Sequence, residues 1–416
     1  SETTMKTMLK ADNLFEEIIS LSLLAPGENG DGVPAMLWGD PGIAKTGRVI
    51  WMSEWYGMKG WVLSPGQHGH GLFGVVPVPK TIDGETFFTF PPPLKVLQFG
   101  DLHEGYGAVF MDEMTAVESR AVRPAMLGLL HGRCLGDFKF PAPTRVIAAG
   151  NPQRIAANGV DISIPEANRL CHIDTNIFQP TAAEVTAWRL QRGYRHTHKA
   201  ALSPQELKAR REERLYPIER KLEAEWDDAH AKTMGMWAGL CSPTRRGELL
   251  HAMPAPNNKG ALKGWPSQRS WDMATSIFTT GRILGASSDA VNTMLEGCVG
   301  AAATEFLAYM RQGDMPDVKD WLQGRVKFEH DTNRPDRTYA VLDSAAQWAI
   351  GKDRAKELQA LYQWMIAFDA KHPHDTEFLR FPLSTCKETA KTAGFPEYGK
   401  MMGRAGAVIA TSMQGK

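Results

Sequence analysis

The stretch GDPGIAKT, Gly39 to Thr46, lies between the apolar run AMLW (35–38) and the segment TGRVIWMSEWYGM (46–58), and its reading decides the fold. A strand that runs into a glycine-containing turn and then a helix aims several backbone N–H groups and the positive end of the helix dipole at one point. A phosphate fits there. Measured against the pattern G-x-x-x-x-G-K-[ST], Lys45 reaches the β- and γ-phosphates and the Thr46 hydroxyl binds Mg2+. The binding loop is read as Gly39, Asp40, Pro41, Gly42, Ile43, Ala44, Lys45, Thr46 and Gly47. Ala44 stands where the pattern has its second glycine, which is tolerable if the backbone of that residue is already right-handed and helical. The competing reading is a chance loop between a strand and a helix.

Two later stretches favour the phosphate loop. AVFMDE (108–113) is an apolar strand ending in Asp112 and Glu113, at the strand edge where ligands of open α/β sheets collect. Asp112 there holds Mg2+ through its water shell, and Glu113 polarises an attacking water. TRVIAAGNPQR (144–154) is another strand, ending at Asn151, whose side chain both donates and accepts and so orients water beside a γ-phosphate.

Bulk properties narrow the function. The chain has 416 residues, enough for two or three domains, and 47 basic residues balance 47 acidic ones. No broad electrostatic attraction to DNA or anionic membrane is expected. Cys134, Cys171, Cys241, Cys298 and Cys386 are scattered singly, which argues for a reduced, intracellular protein rather than a disulfide framework or zinc ribbon. The apolar part of the first thirty residues is broken by Glu16 and Glu17 and is too short to span a membrane, so a soluble, cytoplasmic protein is expected.

Along the chain, Asn13–Leu24 reads as an amphipathic helix, WVLS (61–64) as a strand, and TIDGETFFTF (81–90) as a hairpin around its Asp-Gly turn. Strands alternating with helices imply an α/β fold with a largely parallel sheet covered on both faces. From Thr181 helical periodicity takes over. The charge-rich SPQELKARREERLYPIERKLEAEWDDAH (203–230) reads as an exposed helix held by side-chain pairs and interrupted by Pro217. MPAPNNKGALKGWP (253–266) is an irregular joint, and residues 334–372 read as two amphipathic helices.

Taken in order, GDPGIAKT, AVFMDE, VIAAGNP, IPEANRLCHI and WPSQRSWDMA resemble the motif series of AAA+ ATPases of the MoxR type, whose first motif often carries alanine before the lysine. The likeness runs from about residue 12 to about 350, and LEGCVGAAATEFLAYMRQGDMPD (295–317) also looks like the family's helical lid. The resemblance implies a P-loop AAA+ core over residues 1–178, an all-helical lid over 179–330 and a helical C-terminal extension over 331–416. It matches Lys45 and Thr46 to the Walker A pair, Asp112 and Glu113 to Walker B, and Asn151 to sensor 1. Arg169 matches the arginine finger, which completes the site of a neighbouring subunit. Arg269 matches the sensor 2 arginine, which reports on nucleotide from the lid in cis, although SQR replaces the commoner SPR. ATP with Mg2+, a homo-oligomeric and hexameric ring, a protein client and a von Willebrand factor A domain partner are further implications. Charge on transferred phosphoryl oxygens needs fixed cationic donors, and a guanidinium suits that geometry, so Arg123, Arg154, Arg245 and Arg246 are rival candidates.

Other features carry less. His68 with His70 and His196 with His198 lack further ligands at a defined spacing and are not read as metal sites. GLFGVVPVPK (71–80) is read as a surface loop contacting a pore or client. Trp51, Trp55, Trp61, Trp265, Trp271, Trp321, Trp348 and Trp364 are read mostly as core. A nucleic-acid motor or loader on the same ATPase core, and a scaffold that hydrolyses slowly, are the alternative functions. The balanced charge and the lack of a basic, aromatic groove motif weigh against nucleic acid.

Overall fold

In a computed structural model, the described residues are 8–65, 77–91, 103–116, 122–152, 162–178, 180–190, 202–241, 246–311, 315–387, 389 and 398–403. The chain divides into two compact units, one of Ser1–Leu222 with Met253–Ala303 and the other of Glu223–Ala252 with Thr304–Lys416. These limits follow a different partition from the three segments read from the sequence, since residues 253–303 belong to the same unit as the N-terminal half.

The first unit is built on five parallel strands: β1 (Ala35–Trp38), β2 (Lys59–Leu63), β3 (Gly107–Met111), β4 (Thr144–Gly150) and β5 (Cys171–Asp174). Their spatial order is β5-β1-β4-β3-β2. All five residues of β3 and all seven of β4 are buried, as expected of central parallel strands covered on both faces. Register is continuous: Thr144 pairs with Gly107, Ile147 with Ala35, and Cys171 with Ala35. This is the expected α/β core with a parallel sheet, with helical segments after it.

Helix α1 (Leu14–Leu24) starts at Asn13, whose side chain accepts from the Glu16 N–H. Helix α2 (Lys45–Trp55) starts directly after the glycine turn. A four-residue helix, α3 (Ile164–Ala167), opens with a Ser163/Glu166 capping box and leads into β5.

The sequence reading has Pro217 interrupting the charged segment, and here the structure differs. Pro204–Arg210 runs through a π-helical stretch, Arg211–Leu215, into α4 (Tyr216–Leu240). Proline at 217 cannot bond to the carbonyl of residue 213, and the wider π turn absorbs that loss without ending the helix. Nor is this segment wholly solvated. Arg211 is 1% exposed, donates to the Gly57 carbonyl at 2.9 Å and pairs with Glu104 at 3.3 Å.

Helices α5 (Gln268–Leu284) and α6 (Ser288–Val299) follow the irregular joint and pack against α1 and β5. Gly297 permits this approach, because a Cβ there would lie 2.4 Å from the His172 carbonyl oxygen. Helix α7 (Ala302–Arg311) follows, and in the second unit residues of α8 (Pro335–Ala349) and α9 (Ala355–Lys371) contribute to a core that includes Trp321, Phe328, Tyr339, Trp348 and Phe368. Helix α4 comes close to α8 at Gly235, where a Cβ would sit 2.3 Å from that of Ser344. Trp51, read with the core aromatics, is instead 45% exposed and lies with Trp55 under the Lys10 ammonium. Among the described residues, no helix is long and apolar enough to cross a membrane.

Candidate functional site

The C-terminal ends of β1, β3 and β4 bring the loop, the acidic pair and Asn151 together. The Lys45 ammonium is nearly buried and donates to the carbonyls of Gly39 (2.7 Å) and Asp40 (3.0 Å) and to Asn151 Oδ1 (3.3 Å). Burial lowers its pKa, opposed by the carboxylates of Asp112 and Asp40. The Thr46 hydroxyl donates to Asp112 Oδ2 at 2.6 Å. Asp112 Oδ1 accepts from the Glu113 N–H at 3.0 Å, which leaves the Glu113 side chain exposed at the mouth.

Two residues of this site hold backbone conformations that favour glycine: Ala44 at φ 62° and Glu113 at φ 56°. The expectation that Ala44 is right-handed is therefore corrected. It is a left-handed residue preceding the first turn of α2, a conformation that costs a side-chain-bearing residue about 1–2 kcal/mol. Backbone strain of this kind persists where the surroundings fix it, and it gathers at functional sites. Gly42 (φ 86°) and Gly47 would offer a Cβ no neighbour within 4 Å, so the loop face is open there. Pro41 is exposed and Ile43 half-buried, with its Cδ1 against Gly39.

Sequence reasoning missed the residues that brace the loop from the end of β5. Thr175 Oγ1 donates to the Trp38 carbonyl at 2.8 Å, and Asn176 Oδ1 accepts from the Asp40 N–H at 2.9 Å. A Cβ on Gly39 would meet Thr175 Oγ1 at 2.2 Å, so glycine is required for this close approach. No local motif marks Thr175 or Asn176; only the β5-β1 pairing makes them neighbours of the loop.

Arg169 and Arg269 are not part of this cluster. Arg169 lies two residues before Cys171, the first residue of β5, which pairs with the first residue of β1. Arg269 Nε approaches the carboxylate of Glu28 at 3.8 Å. Glu28 sits in the turn of the small hairpin Pro26–Gly27/Gly30–Asp31, whose Asp31 N–H donates to the Ala142 carbonyl just before β4. Both arginines are thus at the N-terminal edge of the sheet. The seven residues of β4 separate that edge from Asn151 by roughly 20 Å. A cis role for Arg269 at the Lys45 loop does not fit this placement.

The two arginines instead form a site of their own with Glu28 and His131. His131 Nδ1 lies 3.8 Å from Glu28, and its pKa is lowered by burial and by the charges of Arg269 and Arg169. Burial, and then the Arg269 charge, lower the pKa of Arg169. Arg169 Nη1 donates to the Pro165 carbonyl at 2.6 Å. The Nε atoms of Arg169 and Arg269 are both buried without a hydrogen-bond acceptor. Asn168 locks the two segments together: it accepts from Ser267 Oγ at 2.8 Å and donates to the Trp265 carbonyl at 3.5 Å. Of the rival arginines, Arg246 pairs with Glu248 and Glu305 in the second unit, Arg123 is in the helix Val122–Leu127, and Arg154 and Arg245 lie outside the described residues. The histidine pairs at 68/70 and 196/198 also lie outside them.

A further contact joins the two edges. Trp38 Nε1 donates to His172 Nδ1 at 2.9 Å, so His172 Nε2 carries the proton and donates to the Ala167 carbonyl at 2.9 Å. Burial pushes the His172 pKa down to about 4. Trp38 adjoins Gly39, and Ala167 lies one residue before Asn168 and two before Arg169.

The hairpin read at the Asp-Gly turn is present as Val78–Ile82 and Glu85–Thr89, with Asp83 and Gly84 at positive φ. It is exposed along its length: Phe88 is 69% and Phe87 49% exposed.

No family model matches the sequence, and no curated protein matches it. Among solved structures, the chain is similar to a protein from Cytophaga hutchinsonii described as a "putative ATPase", with 11% identity, a TM-score of 0.40, and coverage of 71% of this chain and 87% of that one.

Proposed function

We propose that the chain is an ATP-hydrolysing motor of the MoxR type of AAA+ ATPase. The observation that carries this reading is the convergence of Lys45, Thr46, Asp112 and Asn151 at one strand edge, in front of the N-terminus of α2. The triphosphate of ATP lies along Gly39–Gly47, with Lys45 turned from the loop carbonyls toward the β- and γ-phosphates. The adjacent Thr46 hydroxyl and Asp112 carboxylate are a hard-oxygen pair suited to Mg2+ and its waters. The bound ion supplies positive charge to the phosphate oxygens. Glu113 takes a proton from the attacking water, and Asn151 orients that water.

Arg169 and Arg269 serve a different subunit in this reading. They sit on the sheet edge away from their own nucleotide loop, near each other and near Glu28. Guanidiniums so placed fit the phosphates of a neighbour in a closed ring, which we take to be hexameric. Hydrolysis then requires assembly, and the ring passes the motion to a protein client. The exposed phenylalanines of the 78–89 hairpin are the surface we assign to client contact, and a von Willebrand factor A domain protein is the partner class.

The test compares the native chain with Glu113→Gln. Phosphate release is expected to fall about 100-fold or more while ATP affinity stays within threefold. Equal turnover in the two proteins, or no ATP binding by either, overturns the proposal.

A further inference from the structure

We propose that His330, His372 and Asp375 form a binding site for a divalent transition-metal ion of the zinc class. The proposal does not depend on the ATPase reading, since the residues belong to the second unit. Three segments supply them. His330 precedes α8, His372 follows the last residue of α9, and Asp375 precedes the short 3-10 turn Thr376–Leu379.

Their donor atoms face one another, all within 4.8 Å. His330 Nε2 is 3.8 Å and His372 Nδ1 3.9 Å from Asp375 Oδ2. Those separations are too long for hydrogen bonds. They are close to the spacing of about 3.4 Å between ligand atoms around a tetrahedral ion with bonds of about 2.1 Å.

The surroundings orient the ligands as metal sites require. His330 Nδ1 is hydrogen-bonded to the buried Thr338 hydroxyl at 2.7 Å, which leaves Nε2 for the ion. The His330 ring is packed edge-on against Phe368 and beside Phe378, and the His372 ring stacks on Phe368. The Asp375 N–H donates to the His372 carbonyl at 3.0 Å, so these two ligands are held in one tight turn. Although it precedes the 3-10 turn, Asp375 makes no side-chain cap bond, and its carboxylate is not spent on the backbone.

Two imidazoles with one carboxylate select zinc-class ions over Mg2+ and Ca2+, which prefer all-oxygen sites. His372 is 23% and Asp375 37% exposed at the side chain, so ion and a water as fourth ligand have access. Metal here staples the end of α9 to the segment before α8.

The full chain, stripped with chelator, is titrated with Zn2+ against a chromophoric competitor. One equivalent is expected, weakened about 100-fold or more by His372→Ala or by Asp375→Ala and about 10-fold to 100-fold by Thr338→Val. A chain with His68, His70, His196 and His198 all changed to Ala keeps the equivalent. Absence of a bound equivalent, or one lost with those four histidines and kept in His372→Ala, overturns the proposal. X-ray absorption of the Zn2+-loaded native chain decides independently of how the variants fold. Two imidazoles in the coordination shell support the site, and a sulfur-containing or all-oxygen shell rejects it.

Discussion

Ser267 Oγ donates to Asn168 Oδ1 at 2.8 Å, joining residues 99 positions apart that each precede an arginine by one or two residues. The same Ser267 caps α5 through the Ser270 N–H, and Ser270 reaches back to the Ser267 N–H at 2.9 Å. One buried hydrogen-bonded junction thereby sets where Arg169 and Arg269 stand.

Ser267→Ala removes a cap and leaves Asn168 Oδ1 short of a donor. The loss is expected to be about 1–3 kcal/mol in denaturant unfolding. ATP affinity should remain near native while turnover drops, because only the arginines are displaced. An equal loss of ATP affinity would show that the junction supports the nucleotide loop instead.

Lys45→Ala should weaken ATP binding about 100-fold or more, close to 3 kcal/mol, with the fold retained. Thr46→Val is expected to abolish the Mg2+ dependence of that binding and leave a weak, metal-independent component. Fluorescence titration with and without Mg2+ separates the two effects. Native-like affinity in Lys45→Ala contradicts the loop assignment.

Arg169→Ala and Arg269→Ala should each bind ATP normally and turn over slowly. Mixing either with Glu113→Gln should restore some activity, since one mixed interface then combines an intact glutamate with intact arginines. If Arg269→Ala is not rescued in this way while Arg169→Ala is, Arg269 acts within its own subunit.

His172 makes stability depend on pH. Its pKa falls from an ordinary 6.5 to about 4 on folding, so the unfolded chain binds the extra proton between those values. The contribution is complete above pH 6.5 and is lost as pH falls toward 4, up to about 3 kcal/mol if the ring is fully desolvated. Unfolding at pH 7.5 and pH 5.0 should show a smaller pH difference in His172→Gln than in the native chain. An unchanged difference would show that other groups carry the acid sensitivity.

Phe88 on the exposed hairpin should be dispensable for folding, and Phe88→Ser is expected to alter stability by less than about 0.5 kcal/mol. Basal ATPase should persist, and stimulation by an unfolded protein substrate should be lost. Stimulation equal to that of the native chain removes the hairpin from client contact.

The helix start at Asn13, the strands at 35–38, 107–111 and 144–150 and the Asp-Gly hairpin were legible because each is written in local chemistry. A cap side chain, a continuous apolar run and a turn that needs positive φ act within a few residues. Ala44 was legible in position and not in conformation. Its left-handed backbone is imposed by a loop pinned by Thr175 and Asn176, more than 130 residues away. His330, His372 and Asp375 have no motif at all, because their spacing is set by the packing of α8 and α9.

By itself the amino-acid order determined the strand-loop-helix core and which side chains end its strands, since strand, turn and helix are chosen by near-neighbour sterics, hydrogen bonding and burial period. Only the tertiary structure decided that Lys45, Asp112 and Asn151 share one edge while Arg169 and Arg269 share the other. Strand order and direction fix those positions, and they depend on non-local pairing that no short stretch encodes.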